Sequence, residues 1–295
     1  MSAYEPLRPG PHSAGTHAFE IDDRERARMF PCEIWYPAQT AERDAAPEPG
    51  RRPLILYSHS SGRRNRLMAS YLCTHLATHG YAVAALDHSE VFASDRNVES
   101  ICTNRLLDIR LLVRTLLDET PPIGLEFETS GIGLVGHSLG GWTVLAAPEV
   151  EPRVAAVVAF APAGSSNPRP GILPAVLNFA WGRDVPTLFV TGDADCMTPL
   201  EGVRELYERT PATKRLALVH GADHLHFMDD PESEHEFARS MPLPPQLVWL
   251  RDAMRPFGEL CSAAAAHDAA RGRTLAHFDA HLRSNRAAER WLDSG

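Results

Sequence analysis

The chain has 295 residues, enough for one large α/β domain or two small ones, and its 44% hydrophobic content is sufficient for a substantial core. A formal net charge of −9 argues against nucleic acid as a primary partner, because binding a phosphate backbone needs a basic face. No apolar run approaches the ~18–20 residues that a membrane span requires.

The first ~20 residues are rich in Pro, Gly and His, and MSAYEPLRPGPHSAG lacks the charged and then apolar stretch of a secretory signal. Residues 28–36 (RMFPCEIWY) read as a strand ending at Pro37, and 38–52 as a polar surface loop. PLILYSH, 53–59, is a buried strand followed by a loop of Ser, Gly and Arg at 60–66. An amphipathic helix over 68–79 stops at Gly80, and YAVAALD, 81–87, is the next strand. A polar loop at 89–103 leads to a helix around 104–119, stopped by Pro121-Pro122.

The apolar run Ile132, Leu134 and Val135 then ends in Gly136-His137-Ser138-Leu139-Gly140, and 141–147 can continue as a helix. A strand, a sharp turn and a helix around G-x-S-x-G is the context of a nucleophile elbow. The flanking glycines suit a turn that strains the serine and leaves little room for neighbouring Cβ atoms.

Further strands are expected at 154–160, 186–191 and 215–220, with a helix at 200–209. Residues 162–184 are rich in Pro and Gly with Leu173, Val176, Leu177, Phe179 and Trp181 interspersed, and are expected to form a small cap. From Pro231 the chain reads helical and closes with a helix near 274–292; the stretch 227–261 is a further candidate cover. Strands that are continuous apolar runs and alternate with helices predict a mainly parallel sheet covered by helices on both faces, in a single α/β domain over 1–295.

Ser138 needs an acid and a histidine, each after a later strand. The strand at 186–191 runs into GDADCMTP, where Asp195 is expected to orient the imidazole and Asp193 to serve a turn or cap. The strand at 215–220 runs into GADHLHF, where His224 is the expected general base and His226 a decoy. The oxyanion hole needs two N–H donors, one from Leu139 and one from the loop His59-Ser60-Ser61-Gly62. The order Ser138, Asp195, His224 is that of α/β-hydrolases.

With CEIWYPA at 32–38, PLILYSHSSG at 53–62, THLATHGYAVAALDH at 74–88, GHSLGG, GDADCMTP and GADHLHFMDD, the chain resembles the α/β-hydrolase superfamily over roughly residues 15–290. Within it, the chain is similar to the dienelactone-hydrolase-like and platelet-activating-factor-acetylhydrolase-like branch, with polyester hydrolases as cousins. The resemblance implies backbone donors at Ser61 and Leu139. Two departures stand out: Ser60 occupies a position where that branch usually has glycine, and the nucleophile is Ser138 where dienelactone hydrolases proper use cysteine. Dienelactone is therefore not the expected substrate.

Ser60, His137, Trp142 and Trp181 are expected to contact the substrate, the tryptophans as part of an apolar pocket. Arg63, Arg64 and Arg66 read as a solvated loop, or else as a contact for an anionic group. His75, His79 and His88 read as solvated helix surface and loop, and Asp87 and His88, at a strand's carboxyl end, are also candidates to line the pocket. His220, His224 and His226 with Asp223, Asp229 and Asp230 match no standard zinc spacing, so no metal and no cofactor are expected. The five cysteines, scattered and without C-x-x-C, suit reduced thiols in a cytoplasmic enzyme.

The expected activity is hydrolysis of small-molecule carboxylic esters through an acyl-enzyme on Ser138. A phospholipase-like short-acyl acetylhydrolase or thioesterase, and a non-catalytic ligand-binding protein on the same fold, remain as alternatives; oligomeric state is open.

Overall fold

The computed structural model describes residues 4–61, 65–91 and 97–294 and joins eight strands in one sheet. In chain order they are β1 Ser13–Asp23, β2 Arg28–Ala38, β3 Leu54–Ser58, β4 Ala82–Leu86, β5 Ile132–His137, β6 Val154–Phe160, β7 Thr187–Gly192 and β8 Lys214–Val219. Their order across the sheet is β1-β2-β4-β3-β5-β6-β7-β8. The β1/β2 and β2/β4 pairs are antiparallel; from β4 to β8 every pair is parallel. The α/β-hydrolase expectation is met.

Strand side chains alternate between two apolar layers, as the twofold period of a strand requires. In β3, Leu54 and Leu56 enter one layer and Ile55 and Tyr57 the other. The first layer also takes residues of α2 Val98–Leu117, α3 Leu139–Ala146 and α4 Leu200–Arg209; the second takes residues of α1 Ser70–Thr78 and of a long helix at Ala263–Leu282. Both faces are therefore covered, which explains why the parallel strands are apolar along their length.

After β8 come α5 Pro231–Ser240 and α6 Val248–Ala253, then the long helix α7 (Ala263–Leu282) and α8 Arg286–Asp293. Three element expectations are corrected. A strand, β1, occupies part of the Pro/Gly/His-rich beginning, pairing with β2 through Ala38 rather than stopping at Pro37. Helix α2 starts at Val98, because Asn97 Oδ1 accepts the Glu99 and Ser100 amides at 2.9 and 3.3 Å and caps it. The last helix is two: Ser284 takes φ 54° and Asn285 caps α8.

The segment 162–184 carries no helix or regular strand. Among the described residues no helix is long and apolar enough to cross a membrane.

Candidate active site

Ser138 follows β5 directly, at φ 58° and ψ −114°. That is a strained conformation for a residue with a Cβ, and it persists because the surroundings hold it from three sides. The Ser138 amide donates to Phe160 O at 2.9 Å, and its carbonyl accepts the amides of Trp142 at 3.0 Å and Ala163 at 2.9 Å. Glycine is obligatory on both sides. A Cβ at Gly140 would lie 1.9 Å from Ser58 O, and one at Gly136 would lie 2.3 Å from Gly140 O. Ser138 itself is half-buried between buried neighbours, at the N-terminus of α3.

Asp195 sits in the loop after β7 and His224 in the loop after β8, both at the carboxyl edge of the sheet that also carries Ser138. His224 Nδ1 donates to Asp195 Oδ2 at 2.8 Å, with both side chains buried. The other carboxylate oxygen, Oδ1, accepts the Met197 amide at 2.8 Å and the Thr198 amide at 2.9 Å. The Thr198 hydroxyl completes the cage, 2.8 Å from Asp195 Oδ2 and 3.1 Å from Ala161 O. Burial works to lower the His224 imidazole, but the charge and hydrogen bond of Asp195, with Asp223 beyond it, raise it above the ordinary histidine value. With Nδ1 engaged, Nε2 is the nitrogen left to exchange a proton. Thr198 was missed in the sequence; its position three residues after the acid is the only local signal.

His137 joins this dyad to the elbow. Its Nε2 donates to His224 O at 2.9 Å and its ring lies 4.7 Å from the His224 ring. Being buried and committed to the histidine loop, it braces the site from behind, which corrects its expected substrate contact. Trp142 and Trp181 are corrected likewise. Both are buried in the core, the Trp142 indole donating to Val176 O at 3.2 Å and the Trp181 indole to Leu145 O at 3.1 Å. Their packing closes 173–181 down onto α3.

Asp193 turns away from His224. Its Oδ2 accepts from His220 Nδ1 at 2.9 Å and its Oδ1 from the Gly221 amide at 2.6 Å. His226 is buried, with Nδ1 2.6 Å from Asp223 Oδ1 and Nε2 donating to Cys261 O at 3.0 Å. Asp223 Oδ2 meets His235 Nδ1 of α5, also at 2.6 Å. His220, His224 and His226 thus pair with three different carboxylates, Asp193, Asp195 and Asp223. Among the described residues no three His, Cys, Asp or Glu side chains are arranged to hold a metal ion.

Leu139 begins α3 beside Ser138, and the loop after β3 brings His59, Ser60 and Ser61 to the same edge. Gly62, Arg63 and Arg64 lie outside the described residues. Ser60 is buried and does not take a positive φ, so the loop tolerates serine where glycine was expected. Beneath it lies a buried polar cluster that was not anticipated. Arg105, fully buried, donates to His59 O at 2.7 Å, to Thr143 Oγ1 at 3.3 Å and to Glu90 Oε1 at 2.7 Å. His88 is buried against Asp108, and Asp87 is held by Arg66 at 2.7 Å. His75 is buried as well, donating to Pro6 O at 2.9 Å. His75 and His88 are therefore not the solvated residues they were expected to be.

Beside Thr198 opens a cleft of about 470 Å³, bordered by Pro162, Asn167, Arg169, Ile172, Met197 and Glu201 among others. Its wall is mixed in polarity, and Trp249 of α6 braces the segment that borders it, donating to Pro170 O at 2.9 Å.

Comparison with known proteins bears on this arrangement. Residues 31–241 match the family profile described as PET hydrolase-like. Among solved structures, the ferulic acid esterase from Streptomyces cinnamoneus superposes with a TM-score of 0.69 at 21% identity, covering 92% of this chain and 91% of that one. No curated protein matches. The chain is a serine-type carboxylic ester hydrolase, and it belongs to the PET hydrolase-like family of α/β-hydrolases.

Proposed function

We propose that Ser138 is the nucleophile, His224 the general base and Asp195 the residue that orients it, with the amides of Leu139 and Ser61 forming the oxyanion hole. The observation that carries this is the strained Ser138 at the head of α3, on the sheet edge that also carries the caged His224–Asp195 pair. Ser138 Oγ attacks the ester carbonyl as its proton passes to His224 Nε2. The alcohol leaves with that proton, and water activated by the same nitrogen releases the acid.

The substrate reading is an ester whose acid part is aromatic and polar-substituted. A cleft of about 470 Å³ is far larger than an acetyl group, and its mixed lining suits a ring bearing hydroxyl or carboxyl groups better than a long alkyl chain. The solved ferulic acid esterase points the same way. We assign 162–172 and the Trp249 region to a cover over this cleft, within one domain. The test is hydrolysis of p-nitrophenyl acetate, butyrate and octanoate alongside methyl ferulate, by wild type and Ser138→Ala. A loss of roughly 10⁴–10⁶-fold in kcat is expected for the variant, with methyl ferulate preferred by kcat/KM. A rate that falls steeply beyond acetate would instead mark a short-acyl acetylhydrolase.

A further inference from the structure

The loop expected to supply the second oxyanion donor is shaped by one side chain. His59 Nδ1 lies 2.6 Å from the carbonyl oxygen of the next residue, Ser60. Its other nitrogen, Nε2, accepts the backbone N–H of His88 at 2.9 Å. An imidazole nitrogen that accepts an amide proton carries none of its own, so the proton of a neutral His59 is on Nδ1 and is donated to Ser60 O.

That carbonyl belongs to the peptide group whose N–H is on Ser61. In a trans peptide the C=O and N–H point in opposite directions. Drawing the Ser60 carbonyl inward toward the buried imidazole therefore turns the Ser61 N–H outward. The preceding peptide is held too, since Arg105 donates to His59 O at 2.7 Å.

We propose that His59 is a positioning residue for catalysis: its Nδ1–H, held in that tautomer by the His88 amide, orients the Ser60–Ser61 peptide so that the Ser61 N–H faces the developing oxyanion. This rests on the reading of Ser138 as nucleophile and Ser61 as donor.

Several features keep the tautomer constant. His59 is buried, and burial, together with the neighbouring His88 and Arg105, holds its imidazole far below the ordinary histidine range. It stays neutral wherever His224 can act as a base. His88 is positioned in turn, its Nδ1 donating to Asp108 at 3.0 Å and its Nε2 accepting from the Ser58 hydroxyl at 2.8 Å. The Thr143 hydroxyl donates to Leu139 O at 2.9 Å and receives Arg105 at 3.3 Å. One guanidinium thus ties the loop after β3 to the first turn of α3, where the other donor sits.

The two nitrogens can be replaced separately, because an Asn amide overlays Nδ1 and a Gln amide reaches the place of Nε2. His59→Asn keeps the donor to Ser60 O; His59→Gln keeps the acceptor for the His88 amide. With a p-nitrophenyl ester, His59→Asn is expected to hold kcat within about fivefold of wild type. His59→Gln is expected to lower kcat by about 10²-fold with KM within about threefold, the mark of a lost transition-state contact. Equal losses in the two variants, or a loss carried by KM, would overturn the proposal. In the wild type, the ¹⁵N shifts of His59 are expected to show a protonated Nδ1 and a bare Nε2, and the reverse pattern would also overturn it, whether or not the variants fold. Ser138→Ala separates the layers. If it stays active, the nucleophile reading fails and takes this proposal with it; if it is inactive while Asn and Gln behave alike, only the positioning role fails.

Discussion

The Asp195 carboxylate faces His224 with one oxygen while the amides of Met197 and Thr198 hold the other at 2.8 and 2.9 Å. The acid is thereby fixed by its own loop before it meets the histidine, and it cannot rotate without breaking two charge-assisted bonds. Asp195→Asn should lower kcat about 10⁴-fold, since an amide there admits the wrong imidazole tautomer. Thr198→Val removes only a hydroxyl from the cage and should cost about tenfold, in line with one hydrogen bond to a charged group. Asp193→Ala, whose carboxylate pairs with His220 at the surface, should stay within about threefold. Steady-state kinetics on one ester compares all three; a collapse in Asp193→Ala with survival of Asp195→Asn would reverse the assignment.

The pH profile should carry the signature of the same pair. The general base works as neutral imidazole, so kcat/KM falls as pH drops through the His224 value, which lies above the ordinary ~6.5 because Asp195 outweighs burial. A negative neighbour favours the imidazolium; removing it must therefore shift the acid limb downward. The residual activity of Asp195→Asn should show that limb at lower pH than wild type. An unmoved limb would mean that a different group titrates.

Acid stability should depend on Asp223. Burial favours its neutral form, but hydrogen bonds from His226 and His235 hold the carboxyl well below the usual carboxylate range. A group depressed in the folded state gives stability that is complete above its unfolded value of about 3.9 and is lost as pH falls toward the folded one. Wild-type Tm should therefore drop steeply below about pH 4, and Asp223→Asn should flatten that drop. At pH 7 the variant should be less stable by about 3–5 kcal/mol, because two buried imidazoles lose their shared partner. Parallel Tm curves for the two proteins would contradict this.

Two glycines should respond oppositely to one added methyl. Gly140→Ala drives a Cβ into Ser58 O at 1.9 Å, backbone against backbone, where neither strand nor helix can yield. It should cost 3 kcal/mol or more, at about the upper end for overpacking, and abolish esterase activity. Gly258→Ala meets no atom within 4 Å and should leave Tm within about 2 °C. Thermal melts of both, with a wild-type-like Gly140→Ala as the contrary result, decide the point.

How much of this could be read beforehand differs by residue. The parallel strands were visible because each is a short apolar run, and the elbow because glycine flanks a serine between a strand and a helix. The edge strand β1 was not, since most of its side chains are only half-buried and its centre, Thr16-His17-Ala18-Phe19-Glu20, neither alternates polar with apolar residues nor forms an apolar run. Trp142 and Trp181 read equally well as pocket or core, because the direction an aromatic faces is set by tertiary packing rather than by its neighbours in sequence. Arg105 and His88 were hidden for the opposite reason. Charged and polar side chains are taken as solvated by default, and only the partners Glu90, Asp108 and Ser58, distant in sequence, make their burial tolerable.

The cleft lining comes from just two stretches, 162–172 after β6 and 197–205 leading into α4. The first begins at a fixed point, the Ala163 amide bonded to Ser138 O at 2.9 Å, and from there to β7 the chain contributes nothing to the sheet. Residues 164–172 therefore form an exchangeable cassette. A graft of different length there should change which esters are cleaved, while the Ala163 amide keeps the serine where it stands.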